Sequence, residues 1–171
     1  PLALYERGVT EPTVSLRSLL DGPSARVEGS TAMRAADYFV AIEESGFPGI
    51  FPQPELLRVE LLNSYVHRII DRDLSDLGVS VRRPETLRRW LAAYAAASST
   101  TMAYSRLLDT TTARDGSQPA KTTTIAYRDH LTQLWLLDPV PGWSPSRSPI
   151  SRLQVAPKHQ LADPALAARL L

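Results

Sequence analysis

"AKTTTIAYRDHLTQLWLLDPVPGW", residues 120–143, decides how the chain is read. Lysine and three threonines open it, and an apolar run closes it. At 100° per residue, the angle of an α-helix, Tyr127, Leu131, Leu134 and Trp135 cluster on one side as the core face. Lys121, Thr122, Ile125, Arg128 and Thr132 lie mostly opposite. This spacing predicts a helix over about 122–134 with a polar, cationic outer face. Two short strands are expected after it, "LWLLDPV" and "LQVAPKHQLAD", joined by the proline- and serine-rich "PGWSPSRSPIS".

Two helices are expected just upstream. One spans 84–97, with Leu87, Trp90, Leu91, Tyr94 and Ala97 as its apolar stripe. The other, about 103–111, buries Tyr104, Leu107 and Leu108. Helix, short helix, helix and hairpin form the layout of a winged helix-turn-helix, in which the third helix enters the major groove and the wing touches the backbone. The fold class expected is therefore mainly α: a helical linker, then a winged helix-turn-helix with a small β-hairpin. The domains expected are 1–80 (linker), 81–163 (winged helix) and 164–171 (the start of a further region).

The linker reads as three helices. A short one lies in 13–22, capped near Ser15 and stopped by Asp21-Gly22-Pro23. A second, about 34–45, ends at Gly46. "GFPGIFPQP" is a fixed turn. The third runs from about Pro54 to Leu77, with Val59, Leu62, Val66, Ile69, Ile70 and Leu77 on one face. Asp73 falls on that same face, so it needs a partner such as Arg68 or Arg72, because an isolated buried charge is very costly.

On the winged-helix reading, Lys121, Thr122, Thr123 and Arg128 contact DNA from the third helix, and Arg147 and Arg152 from the wing. Lysine and arginine neutralise phosphates, and hydroxyls bind phosphate oxygens. Asp129 opposes this, and the threonines equally suit a capping turn. Arg82, Arg83, Arg88 and Arg89 form a second basic cluster that could bind phosphate, but Arg88 and Arg89 read better as the wet face of an amphipathic helix, opposite its apolar stripe.

Composition narrows the classes. In 171 residues, 43% are apolar and 22% charged, with net charge +1. Any basic patch must therefore be local. There is no cysteine, so disulfides and thiolate metal sites are excluded. No apolar run reaches the about 20 residues that span a bilayer, and a cytoplasmic location without membrane contact is the expectation. His67, His130 and His159 are scattered, and no metal or P-loop motif, hydrolase elbow or catalytic constellation occurs. The chain is not expected to be an enzyme or to hold a cofactor. It starts at Pro1 and stops inside the amphipathic "DPALAARLL", as a piece of a longer protein would.

Several stretches occur in a fixed order: "SGFPGI", "LLNSYVHRIIDRDL", "LRRWLAAYAAAS", "KTTTIAYRDHLTQLWLLDPVPGW" and "APKHQLADPALAARLL". Together they resemble the C-terminal region of predicted bacterial AAA-superfamily ATPases, a domain of unknown function, over nearly the whole chain. The resemblance implies that an ATPase domain, with ATP and magnesium, precedes this chain. Gly46, Phe47, Pro48, Tyr65, Asp71, Arg72 and Asp73 match its helical linker, and Trp90 to Trp143 its winged helix. Pro157, Lys158, Asp163 and Pro164 match the opening of a restriction-endonuclease-like region. The serine of "SGFPG" stands where a glycine is common in the family. The function implied is a non-catalytic, DNA-binding module coupled to an NTPase, with duplex DNA, the ATPase domain and a second subunit as partners. The alternative is a module for protein interaction or oligomerisation, for which an exposed Ile125 is the sequence hint.

Overall fold

The long helix expected from Pro54 to Leu77 forms, but with a change of pitch inside it. A computed structural model describes residues 1–22, 26–79, 81, 83–112, 120–146, 148, 150 and 155–171. Helix α1 is Leu16–Asp21, α2 Ala35–Glu43 and α3 Glu55–Arg68. A π-helical turn, Ile69–Asp73, then leads into the single turn α4, Leu74–Asp76. The wider turn favours contacts five residues apart, and the partner Asp73 needs is supplied that way: Arg68 Nε lies 3.3 Å from its Oδ1. Helices α5 (Pro84–Ala96), α6 (Tyr104–Thr112), α7 (Lys121–Gln133) and α8 (Pro164–Leu170) follow.

Helix α5 organises the core. Its whole expected stripe, Leu87, Trp90, Leu91, Tyr94 and Ala97, is buried. Helix α6 packs on one side of it and α8 on another, and α8 also meets α2 and α3. Buried side chains from Leu62 to Leu166 form one cluster, which crosses both expected domain boundaries.

The winged-helix expectation is corrected here. Among the described residues there is no strand and no sheet. Two isolated antiparallel bridges, Leu137↔Leu161 and Val140↔Lys158, mark where the hairpin was expected. Pro139 and Pro141 alternate with the bonded residues on one side and Pro157 lies on the other, at positions whose N–H would point away from the partner segment, so they remove no bond between the two stretches. The pairing consists of Asp138 N–H to Gln160 O, Ala162 N–H to Leu136 O and a reciprocal pair between Val140 and Lys158. Gly142 continues the close approach, since a Cβ there would overlap Val155. The second segment also bonds on its other edge, because His159 N–H donates to Thr100 O and Ser99 N–H donates to His159 O. Leu136, Leu137 and Leu161 are buried. This is the floor of the core, not a projecting flap.

Trp135 is the second correction. The expected core face holds for Tyr127 and Leu131, whereas Trp135 is 76% exposed. Helix α7 ends in a Schellman motif: Trp135 N–H donates to Thr132 O and Leu136 N–H to Leu131 O. The reversal requires φ +57° at Trp135, which turns its side chain out and Leu136 in. Gly78 closes α4 in the same way at φ +78° and without a side chain. A non-glycine residue in this region costs about 1–2 kcal/mol. Trp135→Gly is therefore expected to stabilise the fold by about 1 kcal/mol, net of the extra chain entropy of glycine, as read by chemical denaturation.

The end of α2 carries half of such a motif. Ser45, at φ +68°, donates its N–H to Ile42 O. The next amide, Gly46 N–H, turns away to the Asp163 carboxylate. The carbonyl it would have met, Ala41 O, accepts from Arg7 Nη1 at 2.8 Å. Arg7 also pairs with Glu44 and stacks on Phe51. The first residues are fastened here too, because Leu2 N–H donates to Gly46 O. Gly46 must be glycine, since a Cβ would run into the Leu2 backbone.

Candidate functional site

Helices α5, α6 and α7 converge on a cleft of about 330 Å³ beside the start of α7. It is lined by Trp90 from α5, by Tyr104 and Leu108 from α6, and by Lys121, Ile125 and Arg128 from α7, with further polar side chains among them. Each α7 residue is placed by helical spacing: Lys121, Thr124, Ile125 and Arg128 recur at three- and four-residue intervals along one side. The threonines do not cap the helix through their side chains in the way their sequence suggests. Ala120 is the N-cap, and Thr124 Oγ1 donates back to Lys121 O within the first turn.

Of the six residues expected at DNA, Lys121 and Thr122 are exposed and Thr123 is half-buried. Arg128 is half-buried and engaged within the chain. Its Nε and Nη2 donate to Asp129 Oδ1 at 3.0 and 2.9 Å, and its guanidinium lies 5.1 Å from the Tyr104 ring centre. Arg147 and Arg152 lie outside the described residues, as does Arg82 of the second cluster. In that cluster Arg88 faces Asp71 and Glu85 at 3.4 and 3.6 Å. Ile125, the hint for an interaction surface, is partly exposed.

Behind the cleft, Tyr104 and Tyr94 hold the buried imidazole of His159 edge-on, at 4.8 and 4.9 Å between ring centres. His159 Nε2 donates to Met102 O at 2.7 Å. Burial pushes the phenol of Tyr104 above its ordinary value, more strongly than the Arg128 guanidinium pulls it down. Burial likewise raises Tyr94, Tyr65 and Tyr127. The unfolded chain therefore loses these protons first as pH rises. Stability contributed by the four phenols is complete below about pH 10 and falls above it. Urea midpoints are expected to hold up to about pH 9 and drop by about pH 11, with Tyr94→Phe flattening the drop.

Sequence reading missed one junction altogether. Asp163 is completely buried and N-caps α8 through Ala165 N–H at 2.8 Å. Its other oxygen accepts from Gly46 N–H at 2.6 Å and from Ser45 Oγ at 3.1 Å. Two stretches 117 residues apart in sequence, "SGFPG" and "ADPA", thus meet through one carboxylate. The same Ser45 hydroxyl accepts from Phe47 N–H.

Residues 36–171, from the first turn of α2 through α8, match a family described only as a domain of unknown function. The chain belongs to the DUF8612 family. No curated protein and no solved structure matches it. The DUF8612 match holds both halves of the Asp163 junction and the whole cleft, and leaves α1 outside. It carries no link to an ATPase or to a winged helix. Among the described residues, no helix is long and apolar enough to cross a membrane.

Proposed function

We propose that this DUF8612 chain is a protein-interaction domain, non-catalytic in itself, whose N-terminal face docks on an ATPase portion of the kind that the sequence resemblance implies. Helix α1 carries the proposal. It has six residues and buries none of them. Isolated helices that short are not stable in water, and packing of an apolar face normally supplies what is lacking. Its apolar residues instead face outward, with Leu16 at 71% and Leu20 at 78% exposed. Helix α2 buries only Ala41 and presents Phe39 and Val40 to solvent. Leu16 and Tyr38 line one open hollow together with Tyr5, so the two helices contribute to a common surface. Several large apolar side chains left exposed on two helices of one surface favour an interaction site there.

DNA binding has less behind it. With Arg128 turned to Asp129 and Tyr104, the described contacts reduce to Lys121, Thr122 and Thr123, within one turn of α7. That is a small footprint beside the 6–10 phosphate contacts of a typical DNA-binding protein.

The pair Leu20→Asp and Phe39→Asp tests the proposal. Both positions are exposed, so thermal midpoints are expected to stay within a few degrees of wild type. Affinity for the ATPase portion, measured by calorimetry, is expected to fall more than tenfold, given about 1.5–3 kcal/mol for each large apolar side chain buried. Unchanged affinity contradicts the docking face. Binding of duplex DNA that weakens steeply with added salt would restore the DNA reading.

A further inference from the structure

We propose that the cleft between α5, α6 and α7 binds a compact aromatic carboxylate. Its volume, about 330 Å³, lies at the small end of ligand pockets. Its lining mixes aromatic and aliphatic side chains with polar ones, the combination that fixes a ligand's orientation in such pockets. The Trp90 and Tyr104 rings, Leu108 and Ile125 supply flat and branched apolar surface for a planar body. The polar lining includes two cations, Lys121 and Arg128, and one carboxylate, Asp109, which has interactions of its own.

Arg128 is oriented before any ligand arrives. Asp129 takes its Nε and Nη2, and the Tyr104 ring lies against its face. The guanidinium fork carries five donors, more than that one carboxylate oxygen engages. A side chain fixed in advance loses little entropy on binding, so its contact converts into affinity more fully than that of a free arginine. Lys121 differs. It is exposed, in the first turn of α7, and adds a mobile charge at the mouth. A carboxylate near Lys121 with an aromatic body against the rings would match both kinds of lining. A neutral apolar ligand would leave Lys121 unanswered, and a bare anion would leave the apolar side chains wet.

The full chain, titrated with 2-naphthoate and followed by methyl NMR, tests this. Shifts are expected at Leu108 and Ile125 and to saturate in the millimolar range or below. Neutral 2-naphthamide is expected to bind about tenfold more weakly, and Lys121→Ala to weaken naphthoate about fivefold or more, the loss of one charge-assisted contact. Inorganic phosphate is not expected to chase the ligand. Lys121 is exposed, so its replacement leaves the fold intact and its effect is readable. The proposal is overturned if the acid and the amide bind equally, if phosphate displaces naphthoate, if Lys121→Ala changes nothing, or if these two methyl groups do not move.

Discussion

Replacing Asp163 with alanine is expected to lower the unfolding free energy by about 3–5 kcal/mol, the cost of leaving its buried donors without an acceptor. Three donors converge on this carboxylate: the amides of Gly46 and Ala165 and the Ser45 hydroxyl. The hydroxyl can rotate to another acceptor, but the two amides are fixed by the backbone. Each buried donor left unpaired costs about 1–3 kcal/mol. Loss of the cap on α8 is part of the same sum, since that cap is the Ala165 bond. Asp163→Asn is expected to fall between wild type and alanine. Its amide oxygen can still cap α8, but its NH₂ group would then face the Gly46 N–H donor to donor. Guanidinium denaturation of the three proteins measures the order. A loss below about 1 kcal/mol for alanine, no more than an average substitution, would show that Asp163 does not join the two ends of the domain.

Trp90→Ala is expected to be comparably severe, at about 3–5 kcal/mol. The indole is almost wholly buried, packs 5.5 Å from the Tyr94 ring centre and forms one wall of the cleft. Its removal would leave a void continuous with the cleft, which the α5 backbone cannot collapse to fill. Trp143→Ala supplies the control, being 82% exposed, with an expected effect within about 0.5 kcal/mol. Denaturation curves of the two variants, recorded together, compare a tryptophan that holds helices with one that holds none. Equal losses would place Trp90 outside the core.

The helical periodicity was readable because it repeats. The α5 stripe recurs over three turns, and every member is buried. The need of Asp73 for a partner was readable from its place among apolar neighbours, and Arg68 meets it. The π-helical turn that brings the two together was not, because one widened turn leaves the hydrophobic pattern nearly unchanged. Trp135 misled for a related reason. In "QLWLLD" the apolar run continues while the backbone reverses, and the usual marker of that reversal, glycine, is missing. The prolines at 139, 141 and 157 were visible in and beside the expected strands, and proline confines a strand to a sheet edge. The match to "SGFPG" and to Asp163-Pro164 found both halves of the Asp163 junction, yet nothing local says that they touch. Asp129, next to Arg128 in sequence, was seen as opposing DNA; that it holds the guanidinium in place follows only from the side-chain geometry.

The outward apolar face of α1 and α2 leads to one decisive measurement, amide hydrogen exchange at residues 16–21 and 35–43. It would be compared between this chain alone and a longer protein in which the proposed ATPase portion precedes it. Covered helices open less often, so exchange in both segments is expected to slow at least tenfold in the longer protein, while α5 is unchanged. Identical exchange in the two proteins would contradict a docking role for this face.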